Sequence, residues 1–121
     1  MSRDASVQET ELQVNLIINS DLHMSSGKIA SQAAHAVHLM TDTLQRHRES
    51  ATRKLMVNYD KWFANGAKII VLQCSGEELR KLSERQDVFY VKDAGRTEVE
   101  AGSLTAVCTL PSTEKLPYRL L

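Results

Sequence analysis

The chain has 121 residues, of which 42% are hydrophobic and 25% charged, a usage typical of one globular domain and unlike that of a disordered tail or a fibre. Fifteen Lys and Arg residues balance fifteen Asp and Glu residues, so a nucleic-acid contact would need a local basic patch rather than global charge. At this length a folded chain hides roughly two thirds of its unfolded surface, which is enough for one core and excludes a large multidomain enzyme.

The amino-terminal stretch and the cysteines bear on compartment and cofactors. Residues 1–11 are polar and aperiodic, which predicts a flexible N-terminal segment before a domain at residues 12–121. Because no apolar run approaches the roughly 18 residues of a membrane helix, we expect a cytoplasmic protein without a membrane partner. Cys74 and Cys108 lack C-x-x-C or His-rich company, so we predict two small buried thiols rather than a zinc site or a disulfide framework.

The first half of the chain predicts a strand followed by two helices. Alternating apolar residues predict a mostly buried strand over residues 12–19. Ser25 and Ser26 then precede apolar residues at three-to-four spacing, which predict an amphipathic helix of about five turns. A second helix is predicted over residues 50–64, with Asn65 and Gly66 as its C-terminal cap. The apolar stripe of the first helix consists of Ile29, Ala33, Ala36, Val37, Met40 and Leu44.

The second half predicts three more strands and a short helix. An uninterrupted β-branched block within residues 67–74 favours a parallel, central strand. Ser75 and Glu78 form a capping-box pattern ahead of a short helix, and strands are predicted over residues 88–91 and 104–110. This order predicts an α/β fold, a single-domain three-layer sandwich in which a four-stranded mixed β-sheet carries helices on both faces.

Two polar groups would lie beside strand ends, where α/β proteins place their sites. Lys28, Gln32 and His35 project within roughly 60° of one another on the first helix, although spacing alone favours a solvated flank. The loop at residues 93–97, D-A-G-R-T, combines a carboxylate, a glycine, a guanidinium and a hydroxyl. An Asx-type turn with Asp93 capping amides and Arg96 solvated explains it equally well.

Several other sequence patterns are weaker indications of function. Gly27 and Lys28 resemble the end of a phosphate loop, but the upstream glycine is missing and Ile29 replaces the magnesium-binding Ser or Thr. His38 and His47 have no second ligand at metal spacing, so we assign them no role.

Two separated motifs resemble one family. N-S-D-L-H-M-S-S-G-K-I-A-S-Q-A-A-H-A, residues 19–36, resembles the opening motif of the type 2, archaeal and eukaryotic, peptidyl-tRNA hydrolases. D-A-G-R-T-E-V-E-A-G-S-L-T-A-V, residues 93–107, resembles the second motif of that family. The resemblance covers about residues 12–110. It implies a cytoplasmic hydrolase that cleaves the ester between peptide and tRNA, with peptidyl-tRNA as its partner and no metal or other cofactor.

The resemblance also implies roles for individual residues. Lys28, Asp93 and Thr97 would be catalytic, with Asp93 orienting or deprotonating water and Lys28 stabilising the oxyanion or a phosphate, although these roles could be exchanged. Opposite charges would keep Lys28 and Asp93 ionised if they face each other. His35 as general base is an alternative. The substrate-binding residues would be Gln32, His35, Arg96 and Thr105.

The sequence departs from the family pattern at several positions. Asn19 replaces the usual Arg, Ser31 replaces an Ala, and Ser25 and Ser26 stand where an extra Lys is frequent. The final helical segment is shortened, and the apolar residues 116–121 are compatible with a homodimer.

A basic edge could supply the local charge that tRNA binding needs. The candidate tRNA contacts are Arg46, Arg48, Arg53, Lys54 and Lys61, which outnumber Glu49 and Asp60. Two other functions stay open: a non-catalytic binding or regulatory module on the same fold, and hydrolysis of another acyl ester or amide.

Overall fold

A computed structural model describes residues 11–95 and 98–121 of the chain. The predicted flexible segment therefore lies outside the described residues, except for Glu11. A short 3-10 turn, Ser20–Leu22, follows the first strand. The helices and strands are β1 (Val14–Asn19), α1 (Ser26–Arg46), α2 (Arg53–Ala64), β2 (Ile69–Cys74), α3 (Gly76–Ser83), β3 (Val88–Lys92), β4 (Leu104–Thr109) and β5 (Arg119–Leu120).

The five strands form one mixed sheet in the order β3-β4-β1-β2-β5. β1 and β2 are parallel, with Val14 opposite Ile69, and the other three pairings are antiparallel. The α/β class, the mixed sheet and the parallel β2 are confirmed. The prediction of four strands is wrong, because Leu120 and Arg119 form β5 against β2. A strand of two residues is too short to show the alternation by which strands are recognised in a sequence.

Alternate side chains of β1 enter two different core clusters, as expected when successive side chains point to opposite faces of a sheet. Ile18 belongs to the cluster that contains residues of α1 and α2, whereas Ile17 packs with Leu79 and Leu82 of α3. The layered sandwich as a whole stays a prediction. The helical members of the first cluster are Ala36, Met40, Leu44, Met56, Tyr59 and Trp62.

Each helix begins at a side-chain cap that satisfies a free backbone N–H group. The hydroxyls of Ser25, Thr52 and Ser75 each accept a hydrogen bond of 3.2 Å from the third backbone N–H that follows. Because Thr52 is the cap, α2 begins at Arg53 rather than near residue 50. The predicted caps at Ser25 and Ser75 are confirmed.

The two cysteines behave as predicted. Cys74 and Cys108 are both free and buried. Burial raises the pKa of the Cys74 thiol to about 11 and that of the Cys108 thiol to about 12. In the part of the chain that the structure describes, no helix is long and apolar enough to cross a membrane.

Two neighbouring positions on α1 test the core assignment. Met40 is fully buried, whereas Leu39 is 42% exposed. We expect Met40→Ala to lower the free energy of unfolding by about 2–5 kcal/mol through lost burial and a residual cavity. Leu39→Ala should cost less than about 1 kcal/mol, as exposed positions usually do. Urea unfolding followed by circular dichroism measures both, and equal losses would contradict this packing.

Candidate active site

The sheet brings two chain segments together at one end. β3 is antiparallel to β4, and β4 is antiparallel to β1, so β1 and β3 run in the same direction. Their carboxyl ends therefore lie at the same edge of the sheet, which is where α/β proteins place ligands. The start of α1 follows β1, and the loop that begins at Asp93 follows β3.

Lys28 and Asp93 meet at this edge. The Lys28 Nζ lies 2.5 Å from the Asp93 Oδ1, and the two side chains are only 10% and 6% exposed. The Asp93 Oδ2 accepts a hydrogen bond of 2.7 Å from the Gly95 N–H. Asp93 is therefore both an ion-pair partner and the residue whose side chain caps a local turn, as the Asx-turn interpretation predicted for this residue. The result is a buried, charged and hydrogen-bonded pair that opens into a cleft.

Gln32 is buried rather than part of a solvated flank. Its Oε1 lies 2.5 Å from the Thr105 Oγ1, which also lies 3.2 Å from the Val91 carbonyl oxygen. Gln32 is 4% exposed and Thr105 fully buried. Since a hydroxyl has one proton, Thr105 donates to one of these two oxygens. Within residues 11–95 and 98–121, no hydrogen bond uses the Gln32 amide nitrogen, so its N–H groups are available to the cleft.

A cleft of about 570 Å³ contains the Lys28–Asp93 pair. His35, an exposed residue of α1, lines it together with Lys28 and Gln32, which lie on the same side of the helix. His38, to which the sequence analysis assigned no role, lines the cleft too. The full lining consists of Lys28, Ser31, Gln32, His35, His38 and Leu39 of α1 and Tyr90, Val91, Lys92, Asp93 and Ala94 of β3 and its loop.

A second contact holds the loop that follows β3 against the start of α1. Glu98 accepts hydrogen bonds from the Ser25 hydroxyl and, at 2.9 Å, from the Ser25 N–H. These hydrogen bonds, with the nearby Lys28 charge, hold the pKa of Glu98 below its ordinary value. This contact was not predicted from the sequence, because no spacing pattern pairs two residues 73 positions apart. It fixes the start of α1 against the loop that presents Asp93.

Asn19, one of the departures from the family pattern, has a structural role. Its Nδ2 donates to the Leu104 carbonyl oxygen at 2.9 Å, and its Oδ1 accepts from the Asp21 N–H at 3.0 Å. The Asp21 carboxylate in turn accepts from the Gly76 N–H at 2.8 Å. Asn19 therefore ties the end of β1 to the start of β4 and shapes the turn into α1.

The candidate basic edge divides into two groups. Arg46 pairs with Asp42 at 3.0 Å, and Arg48 makes two hydrogen bonds of 3.0 Å with Asp60. The hydrogen bonds between Arg48 and Asp60 raise the pKa of the arginine and lower that of the carboxyl. These two arginines are already paired with carboxylates.

The other group has no such partners. Among the described residues, no ion pair involves Arg53, Lys54 or Lys61. Lys54 and Lys61 line a groove with Leu12 and Ser112, beside the start of β1. Since Lys28 follows the opposite end of β1, this groove lies about 20 Å of strand length from the Lys28–Asp93 pair.

Two predicted site residues, Arg96 and Thr97, lie outside the described residues. Across the ranges that the structure does describe, no group of three His, Cys, Asp or Glu side chains could hold a metal ion.

The fold and the cleft define an α/β protein with a buried Lys–Asp ion pair in a cleft at the carboxyl ends of its strands. The family model described as peptidyl-tRNA hydrolase PTH2 matches residues 12–117, and the chain belongs to this family.

Three archaeal relatives, each named peptidyl-tRNA hydrolase, are similar over most of their length. The protein of Methanopyrus kandleri is 33% identical over 106 residues, which are 83% of this chain and 84% of the relative. That of Methanococcus maripaludis strain C7 is 35% identical over 106 residues, 83% of this chain and 85% of the relative. That of Sulfurisphaera tokodaii is 33% identical over 108 residues, 84% of this chain and 86% of the relative.

Gly95 is required by the geometry of the loop. Its φ is +78°, and a Cβ there would lie 2.6 Å from the Ala101 backbone nitrogen. We expect Gly95→Ala to displace the turn, lower the free energy of unfolding by about 1–3 kcal/mol and weaken the bond to Asp93. Urea unfolding and amide hydrogen exchange at Gly95 and Gly102 measure these effects.

Gly27 provides the matched control. It lies in the first turn of α1, and a Cβ there meets no atom within 4 Å. Gly27→Ala should leave stability unchanged or raise it by up to about 1 kcal/mol, because alanine favours the helix. An equally well tolerated Gly95→Ala would show that the loop adapts freely.

Proposed function

We propose that this chain hydrolyses the ester between a peptide, or an N-blocked amino acid, and the terminal ribose of tRNA, releasing free tRNA. The Lys28–Asp93 pair carries the proposal, because it places a carboxylate and an ammonium 2.5 Å apart at the mouth of a cleft. The match to the family model supports the same activity, and so do the relatives named peptidyl-tRNA hydrolase. They favour hydrolysis over a non-catalytic module and tRNA esters over other acyl esters.

The proposed reaction uses water directly. Asp93 orients a water molecule and takes its proton as the water oxygen attacks the ester carbonyl carbon. Lys28 stabilises the negative charge that forms on the carbonyl oxygen. When the intermediate collapses, the bond between the carbonyl carbon and the ribose oxygen breaks, and the proton held by Asp93 passes to that ribose oxygen. The positive charge is supplied here by Lys28, so the proposal assigns no step to a metal ion.

Neighbouring residues would place the substrate. Gln32 and His35 both line the cleft, and the Gln32 amide N–H groups are suited to donate to a peptide carbonyl. Thr105 is fully buried and contacts Gln32, so we assign it a positioning role rather than direct contact with substrate. Thr97 as a catalytic residue and Arg96 as a substrate-binding residue stay predictions.

The cellular compartment in which the protein acts is also part of the proposal. Because the proposed substrate is produced during translation, we propose a cytoplasmic location. The absence of a cofactor and the homodimer stay predictions.

Phosphate contacts are best assigned to the unpaired group of basic residues. Arg53, Lys54 and Lys61 have no carboxylate partner among the described residues, whereas Arg46 and Arg48 would have to share theirs with tRNA. Positive side chains without an internal partner release more counterions from RNA and therefore contribute more to binding. We therefore place the main tRNA contact at the start of α2.

Removing either member of the pair tests the chemistry. We expect Lys28→Met and Asp93→Asn each to lower the rate of tRNA release from N-acetylaminoacyl-tRNA about 100- to 1,000-fold, the usual cost of losing one preorganised stabilising group. Each single substitution leaves the other member of the pair as a buried charge, and this charge could itself disturb the site. The variant that carries both substitutions is therefore measured as well. It should be no slower than the single variants, since residues that act as a unit are not additive.

Lys81→Ala is the control, since Lys81 is an exposed residue of α3 whose Nζ lies 3.8 Å from Glu77. It should retain full activity. Circular dichroism verifies that each variant is folded. Unchanged release by folded Lys28→Met would remove Lys28 from the chemistry.

Salt dependence tests the tRNA surface. We expect the affinity for uncharged tRNA to fall steeply as the salt concentration rises. The slope of log affinity against log salt concentration should decrease in magnitude by about 0.7–0.9 for each phosphate contact removed in Arg53→Ala and Lys54→Ala. Arg80→Ala is the matched control, because Arg80 lies on α3 and pairs with Glu84 at 3.4 Å. Filter binding from low to physiological salt measures the slopes, and a flat response would overturn the assignment.

A further inference from the structure

The outer edge of β3 forms one wall of the cleft. β3 is the first strand of the sheet, and β4 is its strand partner on the inner side. Five consecutive residues, 90–94, line the cleft from β3 and its loop. The opposite wall is a stripe of α1 that includes Ser31, His35 and His38, at helical spacings of four and three. The cleft is therefore a groove between a helix and the edge of a sheet.

β3 is an edge strand, so one side of its main chain has no strand partner in the described part of the chain. Phe89 and Val91 pack in the core cluster that contains α1 residues, so strand alternation directs Tyr90 to the other face of the sheet. The Lys92 Nζ lies 5.8 Å from the centre of the Tyr90 ring, on that same side. An edge strand presents the N–H and C=O groups of alternate residues outward, and these groups are a ready template for another strand.

We propose that the peptide part of the substrate binds as an extended strand along the outer edge of β3. This inference rests on the proposed hydrolysis, because the groove is continuous with the Lys28–Asp93 pair and the peptide is what must extend from an ester held there. From Tyr90 to Asp93 the edge is about 10 Å long, which matches about three residues of an extended peptide.

The position of the esterified end of the peptide determines the direction of the added strand. The carboxyl end of the peptide is esterified and lies at Asp93, which is also the carboxyl end of β3. The peptide therefore runs parallel to β3, with its amino-terminal side towards Tyr90. Because all residues except proline have the same main-chain N–H and C=O groups, this mode of binding accepts peptides of widely different sequence.

Substrates with an altered main chain test this binding mode in the unmodified protein. We expect N-acetyl-trialanyl-tRNA to have a kcat/KM roughly tenfold above that of N-acetylalanyl-tRNA, since each main-chain hydrogen bond is worth about two- to tenfold. Replacing Ala residues of the tripeptide by Ser or Val should change kcat/KM less than about threefold, because side chains do not carry the binding.

Ester replacement of single amides provides the decisive comparison. Exchanging the N–H of one peptide bond for oxygen removes a donor while keeping the shape of the chain. In an added strand, only alternate residues pair with the edge, so one of two successive replacements should lower kcat/KM about three- to tenfold and the other less than about twofold.

The two proposals fail in different ways. Release of tRNA from none of the substrates would overturn the hydrolysis itself. Release that is independent of peptide length and of both replacements would overturn strand addition while leaving hydrolysis intact. Equal losses at both positions would also overturn it, since a groove that contacts every amide is not a strand edge.

Discussion

The site depends on the ion pair between Lys28 and Asp93. Two charges that are each about nine-tenths buried lose most of their hydration, and this loss is offset only when the geometry and the additional hydrogen bonds are good. The Gly95 N–H supplies one such bond to the Asp93 carboxylate. A buried pair of this kind contributes little net stability compared with apolar residues of the same size. In the proposed reaction its value is chemical, because it holds a carboxylate and an ammonium together where the cleft opens.

The topology explains how two residues 65 positions apart can meet. β4 lies between β1 and β3 and is antiparallel to both, so the segments after β1 and β3 leave the sheet at the same edge. Two further contacts hold α1 against that edge, one between Gln32 and Thr105 inside the cleft wall and one between Ser25 and Glu98 at the helix start. The Lys28 side chain therefore projects from a helix that is fastened at both the loop and the sheet, which suits a preorganised site.

Sequence patterns could predict the elements with long, regular periodicity and the short motifs at their ends. The stripe of α1, the apolar block of β2 and the serine caps were predictable because each is a local pattern. β5 was not, since two residues carry no period. The burial of Gln32 was missed because helical spacing shows which residues share a face but not that β4 presents a hydroxyl opposite it. The pairs of Glu98 with Ser25 and of Arg48 with Asp60 likewise depend on tertiary structure alone.

The proposed substrate has one part that varies and two that do not. The peptide differs from one molecule to the next, whereas the ester and the tRNA backbone are constant. Recognition by β3 main-chain atoms suits the varying part, the Lys28–Asp93 pair suits the ester, and unpaired basic side chains on α2 suit the phosphates. Because the whole chain carries equal numbers of acidic and basic residues, we expect tRNA binding to be confined to that proposed local surface and to weaken readily with salt. Such limited attraction favours release of the free tRNA once the ester that fixes the peptide in the groove has been cleaved.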